Sequence, residues 1–424
     1  MKMTRAWSLV TSLSLILVLS GLLLKNGVLL ALALPYLLFS LIPFWRSMEV
    51  PQLVIERRLQ PQYLWGGQPG RMTLFIQNVG NDLEEVSIAD LLPAGLQVDG
   101  DFTYHGALRA GQTETCSSTV RGVRGKYEFS GARVLVSDLL GMCQSEKFVP
   151  SSMTLAVLPA LERLEKLKIF PRRTRVYTGT IRSRESGAGV EFFGTRAYVS
   201  GDPLRHLNWK AGARWDLLIT NLFEQERVAD IGIILDARSA VEVRAGKESL
   251  FEHSVRAAAS LAEYFLRAGN RVGLLVYGRM IEWTFPGYGK SQRARILAAL
   301  AQAKLGEHAV FKELEHLPTR LFPSESQIVL VSPLLHDDVS MLRYLRALGY
   351  HILVISPDPI SFEKPFLPQD GWTALAERIA RLKRETTLTQ LRRARINVVE
   401  WNLSVPLHIS ITQTMAGLKR WSAG

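Results

Sequence analysis

The chain has 424 residues, a formal net charge of +12 and a pI of about 9.8. Hydrophobic residues make up 47% and charged residues 21%, which excludes a disordered chain and allows two or three domains of roughly 100–200 residues each. The two cysteines, Cys116 and Cys143, exclude a disulfide framework and a cysteine zinc site.

Two uncharged apolar runs open the chain, at 6–24 and 27–45. At about 1.5 Å per helical residue, each run is long enough to cross a hydrocarbon core of roughly 30 Å. Lys2 and Arg5 before the first run and Arg46 after the second place both ends in the cytoplasm. Residues 1–46 therefore predict two transmembrane helices of a multi-pass cell-membrane protein, with its soluble domains facing the cytoplasm. A cleaved signal peptide is the alternative, since the first run follows a basic start.

Residues 51–160 change to a pattern of period two, which is clearest in Arg71–Asn78 and Lys126–Val136. Glycine and proline turn signals recur between these runs. Short strands separated by such turns predict an antiparallel, Ig-like β-sandwich. Such a domain serves either as a recognition module or as a spacer, and the sequence leaves both roles open.

A basic connector follows, with eight cations between Arg163 and Arg184. Such a stretch could contact anionic lipid, since clustered cations are attracted to a negative membrane surface. Its few aromatic residues, Phe170 and Tyr177, and the lack of a nucleic-acid fold signature disfavour nucleic acid as a partner. We assign residues 161–228 to this connector and to the charged segment described below.

Residues 229–424 alternate between apolar runs and amphipathic stretches. Runs such as Asp230–Asp236 and Arg271–Tyr277 predict buried strands, so we expect an α/β domain with a mainly parallel sheet covered on both faces. Ligands of such domains bind at the carboxyl ends of the strands. The residues at those ends are Asp236, Tyr277, Ser332 and Ser356.

In the segment from Glu191 to Arg214, charged residues are interspersed with large apolar ones. Its candidate site residues are Glu191, Arg196, Tyr198, Asp202, Arg205, Trp209 and Arg214, with Asp236 as a further candidate. Because a lone buried charge is costly, we expect these groups to pair inside a packed region. Asp202 would accept hydrogen bonds from Arg205 or from backbone N–H groups, and Glu191 would accept them from Arg196 or Arg214.

Three interpretations of this charged segment are open. A structural clasp is favoured, and a surface that binds a partner or ligand is the second interpretation. The third is an uncharacterised enzyme that uses Glu191, Asp202 and His206 in acid–base chemistry.

The charged segment resembles the domain of unknown function 58 family, whose pattern runs GxGxEFxxxRxYxxGDxxRxIxW and then AR. The matching residues are Gly187, Gly189, Glu191, Phe192, Arg196, Tyr198, Gly201, Asp202, Arg205, Trp209, Ala213 and Arg214, with Leu207 in the isoleucine place. The resemblance implies a von Willebrand factor A-like C-terminal domain and a membrane-anchored adaptor that works beside MoxR-type AAA ATPases. It implies no established catalytic activity.

In A-type domains a DxSxS loop can hold Mg²⁺, which prefers oxygen ligands. Here Asp236 opens the loop, but Arg238 stands in the first serine place and Ala240 in the second. We therefore expect neither a metal nor any other cofactor, and we expect Asp236 to pair with Arg238 or with a base of the charged segment. The carboxylates of Asp337 and Asp338 leave a vestigial site open.

Overall fold

A computed structural model describes residues 2–45, 51–137, 143–164, 167, 174–246, 248–278, 281–306, 322–323 and 325–421. The chain divides into two compact units, Met1–Leu158 and Pro159–Gly424. The elements of the first unit are β1 (Lys2–Met3), α1 (Arg5–Leu23), α2 (Gly27–Trp45), β2 (Leu53–Gln60), β3 (Leu64–Trp65), β4 (Gly70–Asn78), β5 (Leu83–Asp90), β6 (Leu96–Asp99), β7 (Thr103–Leu108), β8 (Thr113–Gly122), β9 (Gly125–Ser137) and β10 (Cys143–Leu158).

Helices α1 and α2 form an antiparallel hairpin that buries small residues. Ser14 and Gly21 are buried on α1 and Ala33 and Ser40 on α2, and the Trp7 indole donates to the Ser40 carbonyl at 3.0 Å. Small side chains let apolar helices approach closely. Helix α1 is long and apolar enough to cross a membrane, and α2 is apolar over its described side chains. By length and composition these helices could be membrane spans or a signal sequence.

The described strands of the middle region form two sheets, as the period-two pattern predicts. One sheet has the order β1-β10-β9-β5-β7, with β3 beside β10, and the other has the order β2-β4-β8-β6. Neighbouring strands are antiparallel, except for the parallel pair β3 and β10. Leu74 and Ile76 of β4 share one hydrophobic cluster with Ile88 of β5 and Val134 of β9, so the two sheets pack over a common core.

This core also contains an ion pair. Arg57 on β2 donates from Nε and Nη2 to the two carboxylate oxygens of Asp90 on β5, at 2.9 and 2.5 Å, and from Nη1 to the Ser151 carbonyl at 2.6 Å. Neither charged side chain is exposed, and the guanidinium carbon lies 5.2 Å from the centre of the Phe129 ring. Because β2 and β5 belong to different sheets, the pair joins the two layers.

The second unit contains more helix. Its elements are β11 (Thr174–Ala197), α3 (Trp209–Trp215), β12 (Ile219–Asp236), β13 (Arg244–Ala245), β14 (Glu248–Ser249), α4 (Leu250–Arg267), β15 (Arg271–Tyr277), β16 (Ile281–Gly287), α5 (Gly289–Gln302), β17 (Gln327–Val331), α6 (Asp338–Ala347), β18 (His351–Pro357), α7 (Pro359–Glu363), α8 (Gly371–Arg393), β19 (Asn397–Trp401) and α9 (Leu407–Trp421).

The main sheet of this unit has the strand order β16-β15-β12-β17-β18-β19. Strand β16 is antiparallel to β15, and the other neighbours are parallel. Ile234 and Leu275 pack with Leu342 of α6 and Leu388 of α8, while the alternate residue Ile233 is also buried. Both faces are covered, which explains why the strands read as continuous apolar runs. The predicted α/β class is confirmed.

The region predicted as a connector differs from expectation. Residues 174–197 form β11, which pairs antiparallel with the first half of β12 from Thr174↔Ala229 to Ala197↔Ile219. Residues 168–173 lie outside the described residues, so anionic-lipid contact by residues 163–184 stays a prediction. Polar and apolar residues alternate only weakly in residues 174–197, so it is the pairing with β12 that defines this segment as a strand.

Candidate functional site

The carboxyl ends of β12 and β17 hold a buried ion cluster centred on Arg238. Arg238 donates from Nε and Nη2 to Asp236 at 2.9 and 2.7 Å, and from Nη1 and Nη2 to Asp338 at 2.9 and 2.8 Å. The Ser332 hydroxyl donates to Asp236 at 2.6 Å, and the Leu335 N–H donates to Asp338 at 2.8 Å. The Arg238 side chain is only 1% exposed. The predicted pairing of Asp236 with Arg238 is confirmed.

The charges of this cluster do not balance, because two carboxylates face one guanidinium. Burial opposes the charged guanidinium, but hydrogen bonds and charges from Asp236 and Asp338 outweigh it and raise the pKa of Arg238. Burial also raises the pKa of Asp338, against the lowering effect of its hydrogen bonds from Arg238. The guanidinium therefore stays charged, and burial disfavours the negative charge of Asp338.

A second arginine closes the ends of the neighbouring strands. Arg384 on α8 donates from Nη1 to the Pro333 carbonyl at 2.9 Å and from Nη2 to the Ser356 hydroxyl at 2.9 Å. Its Nε lies 3.5 Å from a carboxylate oxygen of Asp358, and burial lowers the pKa of Arg384. These contacts satisfy polar groups at the carboxyl ends of β17 and β18.

The four strand-end residues that the sequence singles out are all buried: Asp236, Tyr277, Ser332 and Ser356. Both carboxylates beside Arg238 are bound to its guanidinium, so the donor set does not fit a divalent cation. In the described part of the chain, no group of three or more His, Cys, Asp or Glu side chains could hold a metal ion. The usual ligand position of a parallel sheet is filled by the protein's own arginines.

The charged segment lies at the opposite end of β12. Strands β11 and β12 form a ribbon whose last described pair is Ala197↔Ile219, and residues 198–218 close its tip. Strand β12 has 18 residues, and at about 3.3 Å per residue it spans about 60 Å if straight. Asp236 is therefore remote along the strand from the ribbon tip, which we define as residues 198–218.

Asp202 organises the first half of the ribbon tip. It accepts a hydrogen bond from Arg196 Nη2 at 2.7 Å, from the Val199 N–H at 3.0 Å and from the Thr220 hydroxyl at 3.4 Å. The hydrogen bond from Arg196 is the main reason that the pKa of Asp202 lies below its ordinary value, and the Val199 N–H adds to it. The Tyr198 N–H donates to the Leu218 carbonyl at 2.8 Å and continues the strand pairing.

Asn208 organises the second half. Its side-chain oxygen accepts from the Ala211 N–H at 2.9 Å and caps α3, while its amide donates to Asn221 at 2.8 Å. Leu207 forms an isolated bridge to Thr220 and is buried. These contacts tie the second half of the ribbon tip to the start of β12.

This framework presents large apolar side chains outward. Trp209 is 70% and Trp215 71% exposed, and Leu204, Leu217 and Leu218 are also exposed. A cavity of about 360 Å³ lies between α3 and the start of β12, lined in part by Trp209, Leu217 and Leu218. Exposed apolar groups in this concentration mark an interaction surface more often than a structural element.

The expected burial of the charged segment is wrong for the side chains that the structure describes. Arg196 is 40% exposed, Arg205 and Arg214 are exposed, and only the Asp202 side chain is largely covered, at 16%. The predicted backbone donor to Asp202 is confirmed by the Val199 N–H, but the arginine that donates to it is Arg196 and not Arg205. The Glu191 side chain lies outside the described residues, and its pairing with Arg196 or Arg214 stays a prediction.

His206 has a different neighbour from the one that acid–base chemistry needs. Its Nε2 accepts from Arg205 Nε at 3.3 Å, and its ring lies edge-on to Phe223 with the centroids 4.9 Å apart. Its described contacts supply no carboxylate. No described hydrogen bond or ion pair joins His206 to Asp202, and the Glu191 side chain lies outside the described residues, so the acid–base interpretation stays a prediction.

Sequence reasoning missed two parts of this arrangement. Arg384 precedes Leu388 by four residues and Leu391 by seven, so helical spacing could have placed it on the buried face of α8. Leu217 and Leu218 carry no motif of their own and directly precede β12, whose first half was not predicted as a strand. After the turn through Asp216, whose φ is 53°, both leucines line the same cavity as Trp209.

Residues 194–398 match a family described as protein of unknown function DUF58. A Bacillus subtilis (strain 168) protein named uncharacterized protein YeaD is 27% identical over 156 residues. That match covers 37% of this chain and 37% of the relative, so the chain spans little more than a third of that protein.

Two solved structures show weak similarity. The match to the Escherichia coli alpha-2-macroglobulin fragment from domain MG7 to the C-terminus has a TM-score of 0.24 and 20% sequence identity. It covers 27% of this chain and 18% of the macroglobulin chain. The match to the GAE domain of Saccharomyces cerevisiae GGA2p has a TM-score of 0.20 and 13% sequence identity. It covers 26% of this chain and 94% of the GAE-domain chain. Scores this low do not establish a shared fold.

Proposed function

We propose that this chain is a membrane-anchored adaptor that docks a partner protein through the ribbon tip. The observation that carries the proposal is the contrast between the two ends of β12. One end is closed by Arg238, whose side chain is 1% exposed, and the other presents Trp209 and Trp215 at 70% and 71% exposure. A protein that binds a small ligand at its strand ends leaves that crevice open. A docking protein exposes aromatic anchors.

The chemistry of the ribbon tip indicates the character of the partner. Asp202 is neutralised by Arg196, and the exposed charges Arg205, Lys210 and Arg214 outnumber the exposed Asp216. An apolar surface bordered by cations suits a partner with an apolar pocket and an acidic rim. By family resemblance, the partner that we propose is a MoxR-type AAA ATPase.

The remaining parts of the proposal concern fold family and placement. The order of parallel strands and the position of Asp236 at a strand end favour a von Willebrand factor A-like domain with a guanidinium in the cation position. We place α1 and α2 as two membrane spans. The cations Lys2, Arg5 and Arg46 favour a cytoplasmic position for both ends of the hairpin and for the soluble units.

Capture of the ATPase tests the proposal directly. The full chain, purified in detergent, is immobilised and exposed to the MoxR-type ATPase of the same organism, with and without ATP. We expect wild-type protein to retain the ATPase and the double variant Trp209→Ala, Trp215→Ala to lose at least about tenfold in affinity, since buried tryptophan anchors contribute 2 kcal/mol or more. The matched control is Trp372→Ala, because Trp372 is 82% exposed and lies on α8.

Two results would contradict docking at the ribbon tip. One is the failure of wild-type protein to retain the ATPase in either nucleotide condition. The other is equal retention by the double variant and by wild type. The rival acid–base enzyme predicts instead that Asp202→Asn abolishes a reaction and leaves capture unchanged.

A further inference from the structure

Helix α8 carries an apolar stripe that faces away from the domain. Trp372, Leu375, Ile379 and Leu382 are all exposed, with Trp372 at 82%. Their spacing of three, four and three residues places them on one side of the helix. The buried residues Leu388 and Leu391 belong to the opposite side, together with Arg384.

A helix that packs by one side normally exposes polar residues on the other. Here the outward side of the first three turns is apolar instead, and it begins directly after the N-cap Asp370, which accepts from the Thr373 N–H at 2.7 Å. The cap fixes where the helix starts, so Trp372 lies in its first turn. The stripe is therefore a regular feature of a well-formed helix and not an irregular end.

Cations border this stripe on both sides. Arg378 lies three residues after Leu375 and four before Leu382, and Lys383 lies four after Ile379; both cations are exposed. Among the carboxylates of the helix, Glu377 is bound to Arg381 at 2.8 Å and to Lys364 at 3.1 Å, and the N-cap Asp370 accepts from the Thr373 N–H. Glu385 lies beyond the last apolar residue. The border of the stripe is thus positive.

We propose that the α8 stripe, defined as Trp372, Leu375, Ile379 and Leu382, lies in the headgroup region of an anionic membrane. Tryptophan and leucine would enter the boundary between headgroups and acyl chains, and Arg378 and Lys383 would extend to the phosphates. Each cation near an anionic surface adds attraction. The inference rests on the proposed membrane anchor, which would tether the whole chain to a bilayer.

A second copy of the chain fits this stripe less well. In a parallel helix pair Arg378 would face Lys383 of the other copy, and in an antiparallel pair centred on the stripe it would approach Arg378 of the other copy. Both arrangements bring like charges together. An anionic lipid surface meets the same cations with the opposite charge.

A fluorophore on the stripe tests the inference in the full chain. Cys116 and Cys143 are first replaced by serine, and Leu375→Cys is labelled with a polarity-sensitive dye. The matched control is Ala374→Cys, which is also exposed but is turned about 100° around the helix. Each protein is reconstituted into vesicles of phosphatidylcholine alone, or of phosphatidylcholine mixed with phosphatidylglycerol, with a lipid-borne quencher in both.

We expect the emission of the dye at position 375 to shift to the blue, and the dye to be quenched, only in vesicles that contain phosphatidylglycerol. Both effects should reverse at high salt. The dye at position 374 should change little. Adding Arg378→Gln and Lys383→Gln should weaken the lipid response by roughly tenfold or more. These two changes leave the ribbon tip intact, so ATPase capture should be unaffected and the two proposals can fail separately.

Three outcomes would overturn the inference. The dye at position 375 could stay in a water-like environment in phosphatidylglycerol vesicles. It could respond equally with both lipid compositions. It could also shift to the blue in phosphatidylglycerol vesicles without being reached by the lipid-borne quencher, which would show that protein, from this chain or another, covers the stripe.

Discussion

Replacing Arg238 by alanine should strongly destabilise the second unit. The variant leaves the carboxylates of Asp236 and Asp338 buried without their cation. Asp236 keeps the Ser332 hydroxyl and a backbone N–H as donors, so Asp338 should take up a proton. Protonating an aspartate with an ordinary pKa near 3.9 at pH 7 costs about 4 kcal/mol, at about 1.4 kcal/mol per unit. Removing one partner of a buried ion pair typically costs a similar amount, about 3–5 kcal/mol.

Hydrogen exchange measured by mass spectrometry suits this test, because it reports opening of β12 and β17 within the full chain. A loss of about 4 kcal/mol should speed exchange in these strands by about a thousandfold. The matched control is Arg244→Ala, since Arg244 is 75% exposed and its loss should change stability by less than about 0.5 kcal/mol. If Arg238→Ala exchanges no faster than Arg244→Ala, the guanidinium does not hold the strand ends together.

The same variant has a definite pH dependence. A buried carboxyl without its cation has a folded pKa above its unfolded value, so the folded state binds more protons and stability rises as the pH falls. The loss of about 4 kcal/mol at pH 7 should shrink to about 1.5 kcal/mol at pH 5. A loss that stays constant between these pH values would show that protonation of Asp338 is not its source.

Three further predictions test the Arg57–Asp90 pair, Asp202 and the carboxylates beside Arg238. Arg57→Ala should destabilise the first unit by about 3–5 kcal/mol, seen as faster exchange in β2 and β5, whereas the neighbouring Arg58→Ala, which removes a 69% exposed side chain, should have little effect. Because the pKa of Asp202 is lowered in the folded state, its contribution to stability is present above the unfolded pKa and is lost as the pH falls through the folded pKa. Limited proteolysis of residues 198–218 should therefore increase in strong acid. The variant Asp202→Asn should show the same increase already at pH 7. Arg238→Ser should gain protection of β12 on addition of millimolar Mg²⁺, because Asp236, Asp338 and Ser332 then offer free oxygens, while wild type should not respond.

The order and type of most elements follow from local pattern. Strand β15 has the predicted bounds Arg271–Tyr277, because a continuous apolar run between a turn and a glycine allows few alternatives. The middle sheets follow from period-two alternation, and the N-terminal hairpin from two uncharged runs separated by Lys25 and Asn26. Strand β11 was missed, since its pairing partner β12 lies beyond the 21 residues of the ribbon tip at 198–218.

Local pattern reveals which segments are apolar, most of the strands and helices, and which residues can carry charge. Which of those charges are buried depends on the folded chain. Arg238 reaches Asp338 across 100 positions of sequence, and Arg384 reaches Pro333 across 51, so no local pattern reveals either contact. The segment around Asp202 has a more suggestive composition, yet the ribbon carries it outward and leaves its tryptophans exposed. Burial of a charge depends on what surrounds it in three dimensions, and that depends on contacts between residues far apart in the chain.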